Sequence, residues 1–153
     1  MLHLSAMVDD APLVKTLLEW GLSTSGVDGE SGTPLHLAAE HGAVSCIPVL
    51  VKGGVPVDAL DENGRTALFN AQSAEVAQAL LDAGADPNAG EGWTSLHQHV
   101  CFTDRGPVIE VLLSAGADVT RKDSGEMTPE EEALRHENTH LARLLRAGKP
   151  ALR

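Results

Sequence analysis

Tyrosine is absent from the chain, and two tryptophans and two phenylalanines hold the aromatic share to 3%. A core built around large rings is thereby excluded, so Leu, Val and Ala must fill the interior. Basic residues are also scarce: 11 Lys and Arg stand against 22 Asp and Glu, a formal net charge of −11. The imbalance is uneven, with 16 acidic and 4 basic side chains in residues 1–118 but 6 and 7 in residues 119–153. Such a field repels nucleic acid and anionic lipid and steers in a basic partner. No apolar run approaches the roughly 18 residues of a membrane span. Met1-Leu2-His3, soon followed by Asp9 and Asp10, does not read as a targeting segment. A cytoplasmic location without membrane attachment is expected. With only Cys46 and Cys101 there is no disulfide framework, and both are expected as free thiols. A glycine-rich phosphate loop, a Gly-x-Ser-x-Gly elbow and a His-Glu-x-x-His helix are all missing, so catalysis is not expected.

What the chain does have is a period. Glycines close apolar runs at Gly21, Gly54, Gly84, Gly116 and Gly148, at intervals of 33, 30, 32 and 32 residues. A phrase recurs in step with them: Thr33-Pro34-Leu35-His36, Thr66-Ala67-Leu68-Phe69, Thr94-Ser95-Leu96-His97 and Thr128-Pro129-Glu130-Glu131. The chain opens on Leu2-His3-Leu4-Ser5-Ala6, the same phrase without its Thr-Pro start. Each Thr can cap the free N–H groups of a helix, and Pro34 and Pro129 fall at the first helical position, where a missing N–H costs nothing. Pro12 and Pro107 mark the start of a second helix, and Leu13, Leu17 and Leu18 recur along it at helical spacing. The closing glycines suit left-handed helix ends.

Together the Thr-Pro-Leu-His phrase and the Ala-Gly-Ala-Asp tails resemble the ankyrin-repeat family, whose unit is roughly 33 residues. The resemblance covers nearly the whole chain. It implies an all-α solenoid of stacked helix-turn-helix units joined by short hairpin-like fingers. One domain of five units is expected, over about 1–26, 27–59, 60–87, 88–121 and 122–153. The third unit is three residues short between Thr66 and Gly84, so its first helix or its inter-helix turn must be abbreviated. The fourth has a shortened finger and one extra residue near Asp104-Arg105-Gly106. In the fifth, Glu130-Glu131-Glu132 replaces apolar residues, which reads as the polar outer face of a terminal cap and as acids favoured by the helix dipole. The first unit starts without a finger, which fits either a blunt natural start or a segment of a longer protein.

The family resemblance also assigns roles. His3, His36 and His97 are expected to join neighbouring units by hydrogen bonds, a link that Phe69 cannot make. It further implies a non-enzymatic module that binds a protein partner through finger tips and the exposed side of each first helix. On this chain those positions include Glu30, Glu40, His41, Glu62, Asn63, Arg65, Glu91, Trp93, Cys101, Phe102, Met127 and Arg135. Trp93 has two readings, an exposed anchor on the finger or a filler folded onto its own unit. Trp20 is expected to cover the end of a second helix. The acids around the aromatics fit a partner with a basic patch, and the unbound chain is expected to be monomeric. A small inhibitor or immunity-like protein that blocks a basic enzyme site is the alternative, and a metal-binding or enzymatic protein a distant one. No cofactor or metal is expected. In His97-x-His99-x-Cys101 the helix turns His99 away from the other two, and His136 with His140 lacks an evident third ligand.

Overall fold

The computed structural model describes residues 1–23 and 32–147. Glu30 and Gly148 lie outside the described residues. Helices come in pairs: α1 (Leu2–Met7) with α2 (Ala11–Glu19), α3 (Pro34–Glu40) with α4 (Cys46–Lys52), α6 (Ser95–Val100) with α7 (Gly106–Ser114), and α8 (Pro129–Arg135) with α9 (Thr139–Ala147). The third pair is a single 3-10 turn, Ala67–Asn70, followed by α5 (Ala74–Asp82). First helices pack on first helices, α1 on α3, α3 on the 3-10 turn, the turn on α6, and α6 on α8. Second helices form a parallel row from α2 through α4 and α5 to α7. No strand occurs among the described residues, and none of their helices is long and apolar enough to cross a membrane.

Local sequence dictates these pairs. Thr33, Thr94 and Thr128 take extended backbone before their helices and close capping boxes with His36, His97 and Glu131. The first helices are stopped by left-handed residues at Asp9, Gly42 and Glu137 (φ 54, 74 and 60). Asp9 also links units, since its carboxylate accepts the Cys46 amide at 3.1 Å. At the ends of the second helices Gly21, Gly54, Gly84 and Gly116 all have φ between 79 and 98, as their spacing predicted. Between the two rows lies one continuous aliphatic core, including Leu35, Ile47, Leu50, Leu68, Leu80, Leu96, Ile109 and Leu112.

Two sequence expectations need correction here. Trp20 is 74% exposed and does not cover the end of α2, where it is only the last capping residue. The three glutamates of the cap do not form a polar outer face. Glu131 alone is exposed, and its carboxylate accepts the Thr128 amide at 2.8 Å. Glu130 is buried under α9, paired with Arg146 at 2.6 Å, and Glu132 is buried toward α6. The i,i+1,i+2 run is therefore split by helix rotation into one capping and two interior acids.

Candidate functional site: a notch in the first-helix face

The row of first helices is held by a ladder of imidazoles. Each Nε2 reaches the carbonyl just before the next capping threonine: His3 to Gly32 at 3.3 Å, His36 to Arg65 at 2.9 Å, and His97 to Met127 at 3.1 Å. In His36 and His97, Nδ1 accepts the amide of Thr33 or Thr94, so Nε2 carries the proton that it donates. Burial pushes the pKa of both rings down, consistent with neutral imidazoles.

At the third pair the ladder changes chemistry. Phe69 stands where histidine would, and Trp93 holds the position before Thr94 that would supply the carbonyl. Their rings meet instead, centroids 6.3 Å apart and tilted by 52°. Trp93 is half-buried, with its Nε1 shielded from solvent. Trp93 thus neither stands free on its finger nor folds onto its own unit: its ring packs on Phe69 of the preceding unit. A ring pair has replaced a hydrogen bond at this one step.

The missing residues of the third pair open a notch beside this ring pair. With only a 3-10 turn, the row lacks the end of a first helix, leaving a cavity of about 420 Å³ lined by Glu40, Asp61, Arg65, Gln98, His99, Phe102 and Arg105 among others. Two side chains of the fourth pair make good the lost helix. His99, in the place that Ala38 takes in the second pair, fills the space with a buried ring whose Nε2 donates to the Leu68 carbonyl at 3.4 Å. Arg105 donates to the carbonyls of Ala71 and Gln72, and its Nη2 reaches Gln72 Oε1 at 2.6 Å. Burial pushes the His99 pKa down to about 4, and the Arg105 charge adds to the shift.

The sequence-predicted residues divide among three places. Glu40, Arg65 and Phe102 meet at the notch. Phe102 is 46% exposed with the Arg105 guanidinium 5.8 Å from its ring centre, while Arg65 lies 4.9 Å over Phe69. His41 is exposed just beyond Glu40, its Nδ1 turned back to the Leu37 carbonyl. On the fingers, Glu62 and Asn63 form the exposed tip of a hairpin closed by Asp61, whose Oδ1 accepts the Asn63 and Arg65 amides at 2.8 and 2.9 Å. The exposed Glu91 is bound to that finger through its amide and the Gly64 carbonyl, 3.0 Å apart. Asp123 repeats the hairpin with Gly125 and Met127, leaving the Met127 side chain half-buried. Away from the notch, Cys101 and Arg135 meet Glu132 and His136 between α6 and α8. That cluster is the place among the described residues where side chains could hold a metal.

Sequence reasoning missed His99, Arg105 and Glu132. The first two had a signal: a histidine where the phrase wants a small buried residue, and a cation alone in an acidic stretch, both next to a shortened unit. In the run His97-x-His99-x-Cys101, His99 does turn away from the other two, as the helical spacing predicts. His97 joins the ladder, His99 enters the core, and the Cys101 thiol donates to the His97 carbonyl at 3.3 Å. Both cysteines are free thiols.

Among the described residues, helix pairs stacked in two rows make a repeat solenoid. Residues 2–91 match the family model for ankyrin repeats in three copies, and residues 91–124 match the single ankyrin repeat. The chain belongs to the ankyrin-repeat family, whose repeats generally mediate protein–protein interaction. It is 32% identical over 111 residues to "Ankyrin repeat and SOCS box protein 11" of Danio rerio, covering 68% of this chain and 38% of that protein. It is 34% identical over 130 residues to "Nuclear factor NF-kappa-B p105 subunit" of Gallus gallus, covering 77% and 13%. Against "E3 ubiquitin-protein ligase KEG" of Arabidopsis thaliana the identity is 36% over 138 residues, covering 84% and 8%. The chain thus spans well under half the length of these curated relatives.

Proposed function

We propose that this chain, read as one array of five units, is a non-enzymatic module that grips a protein partner with a basic surface patch at the notch and neighbouring fingers. The observation that carries this reading is Phe102, 46% exposed at the mouth of a cavity that also takes in Glu40 and Asp61. Arg65 and Arg105 line the same cavity, but one lies on Phe69 and the other is committed to backbone carbonyls. Glu40, Glu62 and Glu91 form no ion pair among the described residues, so the charge offered to a partner is negative. An aromatic surrounded by such acids suits an apolar residue flanked by Lys or Arg. Trp93 supports the site from beneath by fixing Phe69.

The test compares tagged wild-type chain with Phe102→Ala and with Glu40→Lys. Proteins captured by the wild type are expected to be lost from both variants while the thermal midpoint moves little, since both side chains are exposed. Retention of the same proteins by the double variant rules the notch out as the binding site. The net charge of −11 also favours a narrower reading, an inhibitor that covers a basic active site. That reading requires an association rate that falls steeply as salt is added.

A further inference from the structure

We propose that Cys101, Glu132 and His136 form a three-ligand Zn²⁺ site that clamps the last helix pair onto the fourth. Cys101 caps the end of α6, while Glu132 and His136 lie one turn apart on α8 and its C-cap. Residues at i and i+4 share a helix face, and α6 packs on α8. One sulfur, one carboxylate oxygen and one ring nitrogen thus come within 4.8 Å of one another. Three protein ligands of this mixed type, with a fourth position left to water, are a donor set that zinc accepts. The thiolate and imidazole disfavour Mg²⁺ and Ca²⁺, which take oxygen ligands.

Glu132 supplies the independent reason to expect a cation. Its side chain is 2% exposed, where the second pair places Leu37. An ionised carboxylate so buried requires compensation. Oε1 has Arg135 at 3.4 Å and His136 at 3.3 Å, both long for charge-assisted contacts. Oε2 is shut off from solvent and has no hydrogen-bond partner. Across from this carboxylate, at the end of the neighbouring helix, is the Cys101 thiol, whose pKa is pushed up to about 11 by burial and by Glu132 itself. Binding replaces the S–H bond by a Zn–S bond and releases that proton to solvent, so affinity rises with pH. Arg135 is 66% exposed and withdraws to water as the ion takes its place on the carboxylate.

The site joins the cap to the array at a step where the apolar contact is interrupted by an acid. Metal bound only by the folded chain adds stability in proportion to the logarithm of its concentration over Kd. The three ligands lie apart from the notch and need no partner protein.

Co²⁺ titrated into the full, metal-free, reduced chain is the direct probe. A thiolate-to-cobalt charge-transfer band and the visible bands of tetrahedral cobalt are expected to saturate at one equivalent and to vanish on adding Zn²⁺. Zn²⁺ alone is expected to raise the thermal midpoint. Cys101→Ser and His136→Ala, at half-buried and exposed positions, should keep the fold by circular dichroism yet weaken binding more than about 100-fold, beyond the effect of losing a supporting partner. Cys46→Ser and His140→Ala should leave the band intact. Absence of a charge-transfer band in the wild type, or its survival in Cys101→Ser, overturns the proposal.

Discussion

His99 shows how one residue carries a structural decision into solution behaviour. Its ring fills the space of the shortened third pair, donates to the Leu68 carbonyl, and has no hydrogen-bond partner at Nδ1. A protonated ring there would bury an unpaired charge beside Arg105, hence the fall of its pKa to about 4. In the unfolded chain the imidazole titrates near its ordinary value of about 6.5. Above that pH both states are neutral and the contribution of the buried ring is complete. As pH falls toward 4 the unfolded chain takes up a proton that the folded chain refuses, and stability is lost. The loss from this residue approaches roughly 3 kcal/mol at the low end of the window. His36 and His97 act in the same direction. Replacing His99 by Gln keeps a donor for Leu68 without a titrating group. Denaturant unfolding of the two proteins between pH 7 and 4 should give a shallower decline for H99Q; equal slopes would mean that the native ring is not held neutral.

The unusual element is the 3-10 turn, and Arg105 decides whether it persists. A four-residue 3-10 segment leaves carbonyls without helical partners, and those of Ala71 and Gln72 accept instead from a guanidinium one pair further along. Arg105→Met removes these charge-assisted bonds while keeping much of the aliphatic stem. It should cost about 2 kcal/mol, with faster amide exchange over residues 69–74, and Arg105→Lys should recover only part because it lacks the planar fork. The sequence made the location of this element legible but not its form. Three missing residues between Thr66 and Gly84 required an abbreviation, and capping Thr, Pro and closing Gly marked its neighbours, because caps act locally. The compensation by His99 and Arg105 was hidden, since it joins residues 31 to 34 positions apart through contacts that no local pattern encodes. The same reason explains the site residues. Phe102 was readable as exposed from its place in the phrase. The burial of Trp93 depended on what Phe69 offered from the adjacent unit, and Glu132 met Cys101 across two helices.

At the scale of the whole molecule, the stacked rows make each pair dependent on its neighbours, so stability is a sum of units and interfaces and the weakest interface sets where the array divides. That interface is expected at the third pair. Its first element has four residues where α3 and α8 have seven, and its ladder step is a ring contact where others have hydrogen bonds. Thr66 Oγ1, Trp93 Nε1, His99 Nδ1 and Arg105 Nε, all buried without hydrogen-bond partners, lie round this step, and each such group costs stability. The chain carries its own reporters of the division. Trp93 is half-buried on Phe69 and senses loss of the third-to-fourth interface, whereas Trp20 is 74% exposed and contributes little change. Helical circular dichroism reports all pairs together. In a denaturant titration the fluorescence transition should therefore precede the dichroism transition, and Arg105→Met should move the fluorescence midpoint further down than the dichroism midpoint. Coincident curves in both proteins would instead show that the truncated pair couples to its neighbours as strongly as the complete ones, with the His99 and Arg105 contacts stiffening the array at this step.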